Sequence, residues 1–146
     1  MDRGLALLVT LAVGALIAFQ PPANAQLARH VGDLGAAFTS LMISTLIIGV
    51  LLVAAGEVSH LSGLGEFRPT YSLGAIGGAA IVIVTIVAVR PLGAGGLAAA
   101  LVSTQLIASA VIDRFGWLGV QQIPLTAARV GGIVLLIVGT LLVTSR

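Results

Sequence analysis

Residues Gly4 to Leu27, GLALLVTLAVGALIAFQPPANAQL, decide the class of this chain. Gly4 to Phe19 is apolar apart from Thr10; then Gln20, Pro21, Pro22 and Asn24 arrive together. One reading is a membrane-crossing helix whose inner end carries two amides beside a double proline. The other is a secretory signal peptide cut after Ala25, because Ala23-Asn24-Ala25 has the small-x-small form signal peptidase prefers. Against the second stand the n-region, where Asp2 offsets Arg3, and the further apolar runs that follow in place of a soluble domain. The retained helix is therefore the expectation.

Working outward, the composition says the same. Apolar residues make up 58% and charged residues 8% of 146 positions, with a mean hydropathy of +1.17. So few charges cannot cover a soluble domain, so the chain is an integral membrane protein. The strands of a transmembrane barrel would alternate apolar and polar residues, whereas these runs are continuous, so the expected fold is all-α. There are no cysteines, which excludes disulfides and thiolate metal sites. The pI near 10.5 reflects a net charge of only +2 and is not the clustered basic face that nucleic-acid binding needs.

Five spans fit the roughly 30 Å hydrocarbon core: about residues 4–27, 36–55, 70–90, 93–115 and 126–144. Turn and charge signals mark the joints at Arg29-His30 with Gly32-Asp33, at Gly56 to Pro69, at Pro91 to Gly96 and at Gly116 to Pro124. Only the Gly56–Pro69 connection is long; Glu57, His60, Glu66 and Arg68 make it a solvated or interfacial loop. No stretch is large enough for a separate soluble domain, so residues 1–146 are expected to form one five-helix transmembrane bundle.

Five spans put the termini on opposite sides. Arg3, Arg68, Arg114 and Arg129 then face Arg29, Arg90 and Arg146 across the membrane. Lys/Arg normally concentrates in cytoplasmic loops, and this near balance allows insertion both ways round. Two oppositely inserted copies would pair as an antiparallel dimer, a two-chain inverted repeat. A partner protein, such as a related chain in a heterodimer, or one dominant charge would instead fix a single orientation.

Glycines allow backbones to approach closely in lipid. Gly74 and Gly78 are expected to pack within the subunit, while Gly132 and Gly139, seven apart on the bulky fifth span, are the candidate dimer face.

Polar residues in lipid are costly unless they face the bundle interior, which makes them functional candidates. Gln20 and Asn24 share a helical face with Leu27 and Leu16/Ile17. Pro21 and Pro22 lack an N–H, so carbonyls one turn earlier lose partners and the helix should bend. Amides and freed carbonyls together suit a polar solute or a cation; equally, amides bridge neighbouring helices. In the fourth span Leu101, Gln105, Ser109 and Asp113 form one stripe, with Gln105 near mid-membrane. Asp113 lies about 12 Å further along the axis, near the headgroups, where Arg114 can neutralise it or its carboxylate can meet water. Thr39, Ser40, Ser44, Thr45, Thr85, Ser103 and Thr104 are expected to bond back to their own helices.

No Asp, Glu, His or Lys occupies the middle third of any span, so the embedded carboxylate usual in proton-driven antiport is lacking. Nor is there a nucleophile–base pair, a metal-ligand cluster or a phosphate-binding glycine loop. No enzyme activity and no cofactor are expected.

Several of these residues also form a recognisable pattern. Gly14, Gln20, Asn24 and Leu27 resemble the G…Q-x-x-x-N-x-x-L opening of the YdcZ-type family, small bacterial membrane proteins of the drug/metabolite transporter superfamily. The resemblance continues through Pro69, Gly74, Gly77 and Gly78, and is most specific in Gln105, Ser109, Ile112-Asp113 and Phe115-Gly116. Gly119, Pro124-Leu125, Arg129, Gly132 and Gly139 extend it. Pro21-Pro22 departs from the small residues expected between Gln20 and Asn24. The resemblance implies five helices, a retained first span, residence in the bacterial inner membrane and transport of a small-molecule substrate. Four-helix members of the superfamily act as antiparallel dimers, and two copies of this chain would supply ten helices. The carboxylate of the four-helix exporters has no counterpart in this first span. The expected substrate-lining residues are therefore Gln20, Asn24 and Gln105 with Ser109, and Asp113 with Arg114 gates or pairs; a non-transporting helical scaffold or regulatory subunit is the alternative.

Overall fold

A computed structural model describes residues 2–145. Met1, Arg146 and the Arg3 side chain lie outside the described part, so two of the seven arginines in the charge count have no described side-chain placement. The described chain is helical, without strands. Four α-helices run in order: α1 (Arg3–Ile17), α2 (Gln20–Ala54), α3 (Ser72–Phe115) and α4 (Ala127–Thr144), with 3-10 segments at Glu57–Glu66, Pro69–Tyr71 and Trp117–Gly119. Three helical stretches are long and apolar enough to cross a membrane: Gly4–Ala54, Pro69–Phe115 and Ala127–Thr144. Drawn straight, the first two would be roughly 76 and 70 Å long, more than twice a 30 Å hydrocarbon core.

Neither is straight. α2 is interrupted at Gly32 (φ 76°, ψ 166°) and α3 at Gly93 (φ 68°, ψ 166°). Both glycines occupy a backbone region that residues with a Cβ essentially never adopt. At Gly32 the interruption is a reversal, because Asn24 reaches Ser40 at 3.2 Å, whereas 16 residues of straight helix would hold them about 24 Å apart. The two joints expected to span several residues are thus reduced to one glycine each, and helix continues through Arg29-His30 and from Ala94 onward.

The first span has the bend its prolines require. α1 ends at Ile17, Ala18 and Phe19 form a turn, and α2 opens at Gln20 with Pro21 and Pro22 in its first turn. Without N–H groups on Pro21 and Pro22, the carbonyls of Ile17 and Ala18 have no partner one turn on. Ala18 and Phe19 stay right-handed (φ −61° and −79°), so this is a bend and not a reversal. Ala23-Asn24-Ala25 lies inside α2, with Asn24 buried.

The chain forms two compact units, Met1–Arg90 and Pro91–Arg146. In the first, Ala28, Ala36 and Ala37 flank the Gly32 reversal and pack with Val82 and Ile86 of α3, with Leu27, Leu41 and Ile83 around them. Small side chains on the two arms let the backbones approach, and the bulk comes from α3; in lipid such close packing replaces the missing hydrophobic drive. Arg90 closes this unit with a two-pronged ion pair to Asp33, the residue after the reversal. The Gly56–Pro69 connection is coiled into 3-10 turns and is exposed throughout, as its charges require.

In the second unit, the later part of α3 runs antiparallel to α4. Gly96, Ser103 and Ala110, seven apart along α3, are all buried. A Cβ on Gly96 would stand 3.3 Å from Thr144 Cγ2. The Ser103 hydroxyl lies 2.6 Å from Thr140 Oγ1 and donates to the Leu136 carbonyl, and Thr140 donates to the Ala99 carbonyl. Ser103 therefore bonds across to α4, not back to its own helix as expected, whereas Thr39, Ser44, Thr45, Thr85 and Thr104 do bond back. α3 stops at Gly116, whose positive φ of 64° suits a helix end, with Gln122 Nε2 donating to the Phe115 carbonyl.

Candidate functional site

The proline bend and the Gly32 reversal together build a groove in the first unit. Its lining includes Leu16, Phe19, Gln20, Asn24, Ser40 and Ser44, around a space of about 480 Å³. The face expected from helical spacing, Leu16/Ile17, Gln20, Asn24 and Leu27, forms one wall. The opposite wall, with Ser40, Ile43 and Ser44, comes from the returning arm of α2.

Asn24 is the buried centre of the groove, 8% exposed. Its Nδ2 donates to Ser40 Oγ at 3.2 Å, and Ser44 donates to the Ser40 carbonyl at 2.9 Å. Among the described residues the buried side-chain polar atom without a partner is Nη1 of Arg129. Asn24 lines the groove, and among the described residues its amide makes no side-chain hydrogen bond other than the one to Ser40. The Ile17 and Ala18 carbonyls released by the prolines lie three and two residues before Gln20. Ser40 was missed as a site residue because a lone serine in an apolar run usually bonds to its own helix; its pairing with Asn24 depends on the reversal at Gly32.

Gln105 and Ser109 belong to the other unit, both exposed on α3. Asp113 is held by Arg129 of α4, with Arg129 Nη2 2.6 Å from Asp113 Oδ2, and not by Arg114, which is exposed and forms no ion pair among the described residues. The reason is reach across helices: Arg114, next to Asp113 in the chain, leaves the helix about 100° away, while Arg129 sits opposite on the antiparallel neighbour. Arg129 occupies the first turn of α4, where a positive charge opposes the helix dipole, and Asp113 offsets it. The Asp113 carbonyl also accepts from the Ile123 N–H at 3.0 Å.

Gly132 and Gly139 have no atom within 4 Å of a Cβ built on them, so nothing in their own unit packs there. The same holds for Gly74 and Gly78, contrary to the expectation of packing within the subunit; a glycine that does let a neighbouring helix come close is Gly96. Among the described residues no three His, Cys, Asp or Glu side chains gather as a metal site.

An all-helical chain with three apolar helical stretches of membrane-crossing length, two of them broken at glycine, is a multi-pass membrane protein of the α-helical kind. It belongs to the family described as "putative inner membrane exporter, YdcZ", whose sequence profile matches residues 5–142. That is a family of transporters and not of enzymes. No curated protein and no solved structure matches the chain closely enough to add to this.

Proposed function

We propose that the chain is a secondary transporter of the bacterial inner membrane that moves a small polar or amphipathic solute by alternating access. The observation that carries this reading is the groove around Asn24: a buried amide with hydrogen-bonding capacity left over, flanked by Gln20, Ser40 and Ser44 in an otherwise apolar wall. An apolar cleft with a few convergent polar groups is the usual form of a small-molecule site. Gln20 and Asn24, with the freed Ile17 and Ala18 carbonyls, contact the solute in the first unit; Gln105 and Ser109 are the solute-contacting residues of the second, where Asp113, through its bond to Arg129, gates.

In this reading α2 and α3 each cross twice, turning at Gly32 and Gly93, so that the chain has five spans. The groove is open-sided, and the working unit is an antiparallel pair of copies, or a pair with a related chain, meeting along Gly132 and Gly139. The near-even arginine count supports insertion in both orientations.

A scaffold reading has its own support, since Asn24–Ser40 and Ser103–Thr140 are bonds between helices. Solute flux into proteoliposomes separates the two. Transport predicts saturable flux that is lost when Gln20, Asn24 and Gln105 are replaced by alanine while the dimer persists. A scaffold predicts no flux from the wild type and loss of the dimer in the variants.

A further inference from the structure

A second polar cleft lies at the Gly32 end of the first unit, apart from the Asn24 groove. Pro22, Ala25, Gln26 and Arg29 line it from α2, Val89 and Arg90 line it from α3, and its volume is about 370 Å³. The four α2 residues stand at i, i+3, i+4 and i+7, one face of the helix. Arg29 is exposed and has no ion-pair partner among the described residues. Arg90 gives two of its N–H groups to Asp33, which fixes the guanidinium and leaves three donors over. The charges at this end are Arg29 and Arg90 against Asp33, with His30 beside them, so an excess of one positive charge remains with His30 neutral.

Two arginines, one from α2 and one from α3, line this cleft together with a side-chain amide, a set that suits a phosphate, which accepts several charge-assisted hydrogen bonds at once. Pro22, Ala25 and Val89 give the same cleft an apolar wall, and its volume exceeds what a lone ion fills. Arg29, His30, Asp33 and Arg90 gather where α2 reverses, the natural place for the water–lipid boundary. We propose that this cleft binds the phosphodiester headgroup of an anionic phospholipid, with Arg29 and Arg90 on the phosphate and Gln26 on its ester substituent. The proposal does not depend on transport.

The test is the binding of short-chain phosphatidylglycerol to the purified full-length protein in a neutral detergent, with Arg29→Gln, Arg90→Gln and the control Arg68→Gln. Saturable binding weakened about tenfold in Arg29→Gln, as expected for loss of a charge-assisted bond, and unchanged in Arg68→Gln supports the site. Competition by glycerol 3-phosphate well above that by inorganic phosphate supports the headgroup as the ligand. Equal binding by Arg29→Gln and wild type, equal losses in Arg29→Gln and Arg68→Gln, or inorganic phosphate binding as tightly as the lipid each overturn the proposal. Should the arginine variants fail to fold, phenylglyoxal modification of the wild type decides: lipid must slow the reaction of Arg29 relative to Arg68, and equal slowing of both overturns it.

Discussion

Arg129 and Asp113 tie the start of α4 to the end of α3, Nη2 to Oδ2 at 2.6 Å, in a setting where both side chains are mostly covered, at 31% and 24% exposure. The pair does more than a surface ion pair, because Arg129 lies in the first turn of α4 and would oppose the helix dipole if left alone. Asp113→Asn is expected to destabilise the protein by about 1–3 kcal/mol, between the values for exposed and buried pairs. Arg129→Met added to Asp113→Asn should restore part of that loss, since it removes the orphaned charge. Arg114→Gln should leave stability unchanged. Thermal unfolding of the four proteins in one detergent checks this, and an Arg114→Gln loss matching that of Asp113→Asn would contradict the assignment.

The pairing also shows where sequence reasoning stops. Hydrophobic runs of fixed length, the amides of the first span and the missing N–H groups of Pro21 and Pro22 are local properties, and the class of fold, the Gln20–Asn24 face and the bend at Ala18–Phe19 followed from them. The partner of Asp113, the role of Ser40 and the contact at Gly96 each require knowing which helix returns beside which. That information sits in the reversal at Gly32 and in the antiparallel register of α3 with α4. Charge and glycine signals marked the joints at Gly32 and Gly93 as regions, but a single residue with positive φ cannot be told from a loop by composition.

Gly32 and Gly93 have nearly the same backbone conformation, φ 76° and 68° with ψ 166° in both. Alanine at either position forces a Cβ into a region costing about 1–3 kcal/mol. Gly32→Ala and Gly93→Ala should each lower the unfolding midpoint in detergent. Gly14→Ala, inside α1 with open space where a Cβ would go, should be neutral or slightly stabilising, because glycine is a poor helix residue. Tolerance of alanine at Gly32 would mean that the reversal does not depend on that conformation.

Asn24 bridges to Ser40, and in the proposed transport role its remaining hydrogen-bonding capacity serves the solute. Asn24→Ala removes both and should lower solute flux about five- to thirtyfold, the effect of losing about 1–2 kcal/mol of hydrogen bonding. Ser40→Ala removes only the bridge and should cost about two- to fivefold by letting the amide reorient. Initial rates in proteoliposomes, normalised to reconstituted protein, measure both. A larger loss from Ser40→Ala than from Asn24→Ala would reverse the assigned roles, and unimpaired flux from Asn24→Ala would remove Asn24 from the pathway.

Gly132 and Gly139 leave a notched and unfilled face on α4, with nothing of their own unit within 4 Å of an added Cβ. Leucine at Gly139 should therefore leave the fold of a single chain intact while weakening association of two copies. Cross-linking in vesicles should show less dimer, with little change in the unfolding midpoint of the detergent-solubilised chain. The orientation of the copies has a separate readout: C-terminal fusions to a reporter active only in the cytoplasm and to one active only outside. Balanced arginines predict signal from both, and lysines added at one end should shift the ratio toward a single orientation. Strong signal from one reporter alone would exclude the inverted homodimer and leave a fixed orientation or a differently oriented related chain, while loss of monomer stability in Gly139→Leu would mean that the notch is filled from within the chain.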